Sequence, residues 1–340
     1  MFRDCKRLSS IKLPPSVKYI NAGAFRGCKS MPSIEFPSNV KSIGERAFEG
    51  CTSLASISLP ASVKSVGLDA FSGCTSLESA VLSGVEALDV GTFSGCRRLS
   101  SLELPSTMTS IGRGSFSDCR ALTSITIPPS TKSIGENAFN NCAGITSVSM
   151  PPSVSSVGSR AFQGCTSLAT VSMSPSVTSV EAGTFQGCTS LTSVTLPASA
   201  TSIGENAFRD CVELRSVSIP SSVTTIGSKA FFGCKSLASV DIPSSVTKIA
   251  TAAFSGCASL RSVTIPPSVT EIADRVFSMC TNLESAVIPK TATIGKEVFP
   301  SKTKITYRGS SPSGNQGGQQ SGKGGEQSEK KGFNLFGIKF

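Results

Sequence analysis

A β-rich solenoid of parallel strands is the fold this sequence predicts, and three observations carry the prediction. Cysteine stands at 5, 28, 51, 74, 96, 119, 142, 165, 188, 211, 234, 257 and 280, so eleven of the twelve intervals are 23 residues and one is 22. Phenylalanine stands three places before every one of those cysteines, from Phe2 to Phe277, and Phe299 begins where one more repeat would. Between these markers runs a short alternation of apolar residues with Ser and Thr, the two-residue period of a strand with one buried face. Repetition at roughly 20 to 50 residues marks units that bury an apolar face only by stacking on their neighbours. The 340 residues, too many for a typical compact domain, thus read as one coil of about 13 rungs.

With each cysteine counted as position 0, residues 51–73 read CTSLASISLPASVKSVGLDAFSG. Leu54, Ile57 and Leu59 at positions 3, 6 and 8 predict the first strand, and Pro60, which has no N–H for a ladder, ends it. Val63 and Val66 predict a second, shorter extended segment on the opposite wall. Glycine at position 16 (Gly44, Gly67, Gly112, Gly135, Gly158, Gly204, Gly227) predicts a turn with positive φ. The AFxGC segment that follows is expected to be a short helical corner, one turn long, with its phenylalanine pointing into the coil.

Two rungs break the pattern. Residues 75–95, TSLESAVLSGVEALDVGTFSG, have lost one residue and the strand-ending proline, which predicts a kink or ladder irregularity. After Cys280 the chain runs into KITYRG, where Ile305 and Tyr307 alternate as a closing strand. Met1 falls in the middle of a corner, so an uncapped N-terminal edge is expected, open to a missing upstream cap or to self-association. From Gly309 the composition shifts to a Gly/Ser/Gln-rich stretch, residues 309–332, that reads as a disordered flexible linker. The chain ends in an apolar aromatic peptide, residues 333–340, whose Phe333, Leu335, Phe336, Ile338 and Phe340 form a candidate docking tail for a partner or a membrane surface. The expected organisation is therefore a solenoid over 1–308, a linker and a terminal peptide.

The segment LASISLPAS matches the leucine-rich-repeat pattern LxxLxLxxN at Leu54, Ile57, Leu59 and Ser62, and Asn39 keeps the asparagine in one rung. Together with the proline, IGxxAF and FxGC, it resembles the BspA-like leucine-rich repeats of bacterial and protist surface proteins. The resemblance covers residues 2 to about 308. It implies a right-handed coil with one parallel strand per rung on the concave side, and adhesion to host or matrix proteins as one use.

Thirteen cysteines and no histidine make thiol chemistry the first question. Zinc needs about four convergent N or S ligands, and the chain has no CxxC. A nucleophile needs a base beside it, and a residue present in every rung is filling a structural role. The thiols are therefore expected to be small packing residues, unpaired, which favours a reducing compartment. None of the nine asparagines sits in an N-x-[ST] sequon, and the start, MFRDCKRLSS, is charged where a secretory leader is apolar. A cytoplasmic location is expected on these grounds, with the cell surface as the alternative if the N-terminus is incomplete. No transmembrane stretch, no GxxxxGK[ST] and no carboxylate cluster occurs, so no enzyme activity, cofactor or metal is expected.

Charge is more informative. Lys and Arg number 32 against 22 Asp and Glu, and residues 1–64 hold 10 basic against 4 acidic. Position 13 carries Lys18, Lys41, Lys64 and Lys132, and the corners add Arg97, Arg98 and Arg120. This is a candidate stripe for an acidic protein or polysaccharide. Nucleic acid is disfavoured, because the phenylalanines belong to the core and only two tyrosines remain for stacking. Position 5 is Ser or Thr in every rung, which suggests a hydroxyl ladder, but few Tyr or Arg anchors stand on that face. The function expected is a non-enzymatic protein–protein interaction scaffold, with a surface adhesin or a polyanion binder as the alternatives.

Overall fold

The structure, a computed structural model, describes residues 2–308. Those residues form a parallel β-solenoid. Every strand pairing within it is parallel and joins a residue to the one a repeat later, as in Ser42↔Ser65 and Val148↔Val171. One wall is built from two-residue strands in two ladders, one of seven strands from Tyr19–Ile20 to Ser156–Val157 and one of six from Ser179–Val180 to Thr293–Ile294. The other wall carries the longer strands, among them Ser56–Leu59, Ser147–Ser149, Thr170–Ser172, Ser193–Thr195, Ser216–Ser218 and Ser262–Thr264.

The core lies between the walls and repeats with the sequence. Leu54, Ile57, Leu59, Val63, Val66, Ala70, Phe71 and Cys74 are all buried, and the same positions are buried in the rungs beyond except at the half-buried Leu102 and Leu104 and in the last rung. The phenylalanines form one continuous stack from Phe2 to Phe299. Successive ring centroids lie 5.1–5.8 Å apart with planes within 15° of parallel. That spacing falls within the range in which aromatic pairs attract beyond the area they bury, and the ring repeat follows the strand repeat.

The corners are not helical. Residues at position 18, such as Arg46, Asp69, Asn137 and Lys229, have φ of 52–55°. At position 22, Gly50, Gly73, Gly164 and Asp210 have φ of 59–72°. Two left-handed residues four apart interrupt any right-handed helical turn. What they allow is a path whose amides point along the coil: Phe48 N–H donates to Ala70 C=O at 2.7 Å, and Gly50 N–H to Ser72 C=O at 2.8 Å. The corner thus continues the ladder by donating to the next rung, where a helical turn would spend those amides within its own rung.

The glycines at position 16 also do something other than expected, since none of them has positive φ. A Cβ on Gly158 would lie 2.5 Å from the Glu136 backbone N, and one on Gly135 2.6 Å from that of Arg113. Glycine here admits the neighbouring rung's backbone.

The 22-residue rung shows no kink in its ladder. Ser79–Leu82 pairs on both sides, and the Phe71–Phe93 stack is kept at 5.3 Å. The missing residue is taken out of the turn, where Ser83 and Gly84 bridge what Pro60, Ala61 and Ser62 bridge one rung earlier. Gly84 makes the shortcut fit, because a Cβ there would collide with the Ala61 carbonyl. At the other end Lys304–Arg308 forms the final strand on Ser285–Pro289, with Ile305 and Tyr307 left partly exposed.

Replacing Phe162, fully buried within the stack, by alanine should cost about 3–5 kcal/mol of unfolding free energy. Phe2→Ala, at an end of the stack where the residue is 41% exposed, should cost below about 1 kcal/mol. Guanidinium midpoints of the two variants check the difference.

Candidate functional site

The thiols belong to the core. Cys28 to Cys280 are buried and Cys5 is exposed, and all thirteen are free. Each buried thiol donates to the carbonyl of the phenylalanine 25 or 26 residues before it, for example Cys51 Sγ to Phe25 O at 3.1 Å and Cys142 Sγ to Phe116 O at 3.0 Å. Cysteine suits this place because it is small, apolar and a weak donor. Burial pushes the Cys51, Cys119 and Cys165 thiols up to about 12 and Cys74, Cys96 and Cys188 well above their usual range. A thiol held neutral in this way is a poor nucleophile and a poor metal ligand. Among the described residues no group of three or more Cys, Asp or Glu is arranged to hold a metal.

The basic residues fall in two places. Lys18, Lys41 and Lys64 are exposed on three successive rungs, joined by Lys41 N–H to Lys18 C=O at 2.7 Å and Lys64 N–H to Lys41 C=O at 3.0 Å. Glu86 ends the row on the next rung, 3.6 Å from Lys64 Nζ. Lys132 stands on the same wall two rungs further, beyond Thr109. Arg97, Arg98 and Arg120 lie in the corners, where Arg98 pairs with Glu78 at 2.6 Å and Arg120 with Asp118 at 2.9 Å. The seven residues therefore make a compact row of three lysines and separate cations. Beside that row stands Tyr19, 62% exposed and paired in register with Ser42. Tyrosine is among the residues enriched at interfaces, and the repeat pattern concealed this one, since position 14 is otherwise mostly Ser.

Hydroxyls divide into two populations. Of those at position 13 of the short-strand wall, Thr109, Thr201, Thr224 and Thr247 are spent on the preceding rung, donating to its carbonyls at 3.0–3.3 Å. Ser62, Ser222, Ser245 and Ser268 do the same in the turns at 2.6–2.7 Å. The hydroxyls on the outer face of the longer strands are unspent. In Ser147–Ser149, Thr170–Ser172, Ser193–Thr195 and Ser216–Ser218 the pattern is exposed hydroxyl, buried valine, exposed hydroxyl. None of the eight hydroxyls has a hydrogen-bond partner among the described residues, so position 5 is a row of free groups and no ladder.

Two cavities open on the longer-strand wall. One of about 500 Å³ lies near Lys12, Glu35 and Phe36. The other, about 380 Å³, is lined by Ser239, Asp241, Ser262, Thr264 and Arg308 above a floor of Val240, Val263 and prolines. The candidate tail residues Phe333, Leu335, Phe336, Ile338 and Phe340 lie outside the described residues. No helix among the described residues is long and apolar enough to cross a membrane.

This geometry has counterparts. The family profile described as BspA type leucine rich repeat region, of six copies, matches residues 1–97, 86–215 and 201–308. A leucine-rich repeat protein from Bacteroides ovatus is 32% identical, with a TM-score of 0.80 over 90% of this chain and 79% of that one. A leucine rich cell surface protein from Faecalibacterium prausnitzii is 30% identical, with a TM-score of 0.59 over 86% of this chain and 84% of that one. The pneumococcal vaccine antigen PcpA, 21% identical with a TM-score of 0.56 over 79% of both chains, shares the fold. No curated protein matches the chain.

Neutral, buried thiols give two measurable consequences. Native protein treated with iodoacetamide should gain one adduct, at Cys5, and thirteen after unfolding, counted by intact mass. Because folding raises these pKa values above the ordinary thiol value, the stability they contribute is whole below that value and is lost as pH rises toward about 12. Unfolding free energy measured from pH 8 to 11 should therefore fall steeply once the unfolded thiols begin to ionise.

Proposed function

Because the chain belongs to the BspA-type leucine-rich repeat family, we propose that it is a non-enzymatic scaffold that binds a protein partner along its outer surfaces, with the lysine row as the contact for an acidic segment. The observation that carries this reading is the stacking of Lys18, Lys41 and Lys64 on consecutive rungs with one acidic neighbour, Glu86, at its far end. Three like charges carried on strands about 4.8 Å apart repel one another by at most about 1 kcal/mol per adjacent pair in water. An anionic partner relieves that repulsion, so the row favours binding before any specific contact is made. Tyr19 adds an amphipathic ring at the edge of the row, suited to anchor a bound segment.

A second reading, a surface adhesin that binds host or matrix proteins, is favoured by the likeness to the Faecalibacterium protein named for the cell surface. Antibody access to the tagged full-length protein on unpermeabilised cells supports it; signal only after permeabilisation overturns it. The scaffold itself is the same in either setting.

Retention of the full chain on immobilised poly-glutamate tests the lysine row. The triple variant Lys18→Gln, Lys41→Gln, Lys64→Gln should elute at clearly lower salt, whereas Arg98→Gln, which removes a cation already paired with Glu78, should not. Unchanged elution of the triple variant removes the row from the function.

A further inference from the structure

The cavity of about 380 Å³ has a composition that its surroundings do not explain. It lies where the longer-strand ladder is interrupted. Residues 239–242 contribute the isolated bridge Ser218↔Asp241, and no pairing joins them to Ser262–Thr264. Asp241 and Arg308 both line it, yet neither side chain forms an ion pair or hydrogen bond among the described residues. Four hydroxyls line it, those of Ser239, Ser262 and Thr264 on the same face and that of Ser244 in the turn. A carboxylate accepts and cannot donate, a guanidinium donates and cannot accept, and hydroxyls do both. The complementary ligand therefore brings hydroxyl or amine donors to Asp241 and an anionic acceptor to Arg308, for which a carboxylate is the planar match.

What lies beside the cavity narrows the class. Through the Ser218↔Asp241 bridge it is continuous with the four strands whose eight outer hydroxyls are unspent. Those hydroxyls form two parallel rows that repeat at the strand spacing of about 4.8 Å. They carry no charge and present no aromatic or leucine pocket, so they offer nothing to anchor the side chains of a peptide. A ligand that uses them must itself repeat polar groups at short intervals.

From the free Asp241 and Arg308 and the adjoining hydroxyl rows, we propose that this face binds an acidic oligosaccharide, a chain of sugars bearing carboxylates. Arg308 takes the carboxylate of one sugar, Asp241 accepts hydrogen bonds from neighbouring sugar hydroxyls, and the rows on the four preceding strands hold the units that follow. Each unit on the rows makes a weak contact, so affinity accumulates with chain length. The site is separate from the lysine row, on the other wall of the coil.

Calorimetric titration of the full chain with size-defined oligouronates, dimer and octamer, and with a neutral oligoglucan octamer tests the proposal at about 0.15 M salt, which screens exposed charges beyond a Debye length of about 8 Å. The uronate octamer should bind more tightly than the dimer and the neutral octamer by about tenfold or more. Asp241→Asn and Arg308→Gln should each weaken it by about tenfold or more, the loss of one charged hydrogen bond. Both variants should keep the parent unfolding temperature, since neither side chain is paired. The triple lysine variant should bind the octamer as the parent does. The proposal is overturned if the octamer does not saturate, if both cavity variants bind as the parent does, if the neutral octamer binds equally well, or if only the lysine variant loses binding. Loss in the lysine variant alone would instead assign the acidic ligand to the wall described above.

Discussion

Everything in this molecule depends on each rung lying in register over the one before. The phenylalanine rings meet face over face, the thiols reach back to the preceding phenylalanine carbonyls, and the strand amides pair one repeat away. None of these contacts exists within a single rung, so an isolated repeat keeps only turn hydrogen bonds such as Leu54 N–H to Cys51 C=O and Val63 N–H to Pro60 C=O. Stability is then a sum of interfaces, and the register is what makes that sum large. A shift of one residue would turn the buried valines of the strands outward and the hydroxyls inward.

The same constraint separates structural from functional chemistry. A residue that recurs in every rung is committed to its copies above and below, as Phe162 and Cys165 are. Thr201, Thr224 and Thr247 look available from outside, yet their hydroxyls are spent on the neighbouring backbone. What the stacking does not use among the described residues is the lysine row, Tyr19, the free hydroxyls of the longer strands, and the two charges without a partner at the gap near Asp241. A long coil needs few such groups per rung, because many rungs present them together.

Much of the fold was legible because the period is nearly perfect. Phenylalanine and cysteine at fixed spacing, and apolar residues at positions 3, 6, 8, 12 and 15, located the core, both walls and the family likeness. The corners were misread as helical because their left-handed residues include Arg46, Lys229 and Ala252, which carry no signal for positive φ. Bonds to the next rung hold those residues there, as Arg46 N–H to Leu68 C=O does, and such bonds reach 22 residues away in sequence. The position-16 glycines were read as turn formers, whereas the backbone that excludes a Cβ at Gly158 belongs to another rung. For the candidate sites, the spacing alone placed Lys18, Lys41 and Lys64 in one row. It did not separate the paired Arg98 and Arg120 from free cations, and it left Arg308 unnoticed.

The sequence by itself determined that the chain repeats, how often, and which side chains face inward, because burial follows a short local period that any one rung displays. Only the tertiary structure decided which polar groups are spent and which are free. A hydroxyl, amide or charge is satisfied by a partner across the rung boundary, and the distance across that boundary is set by the stacking, which no local pattern records.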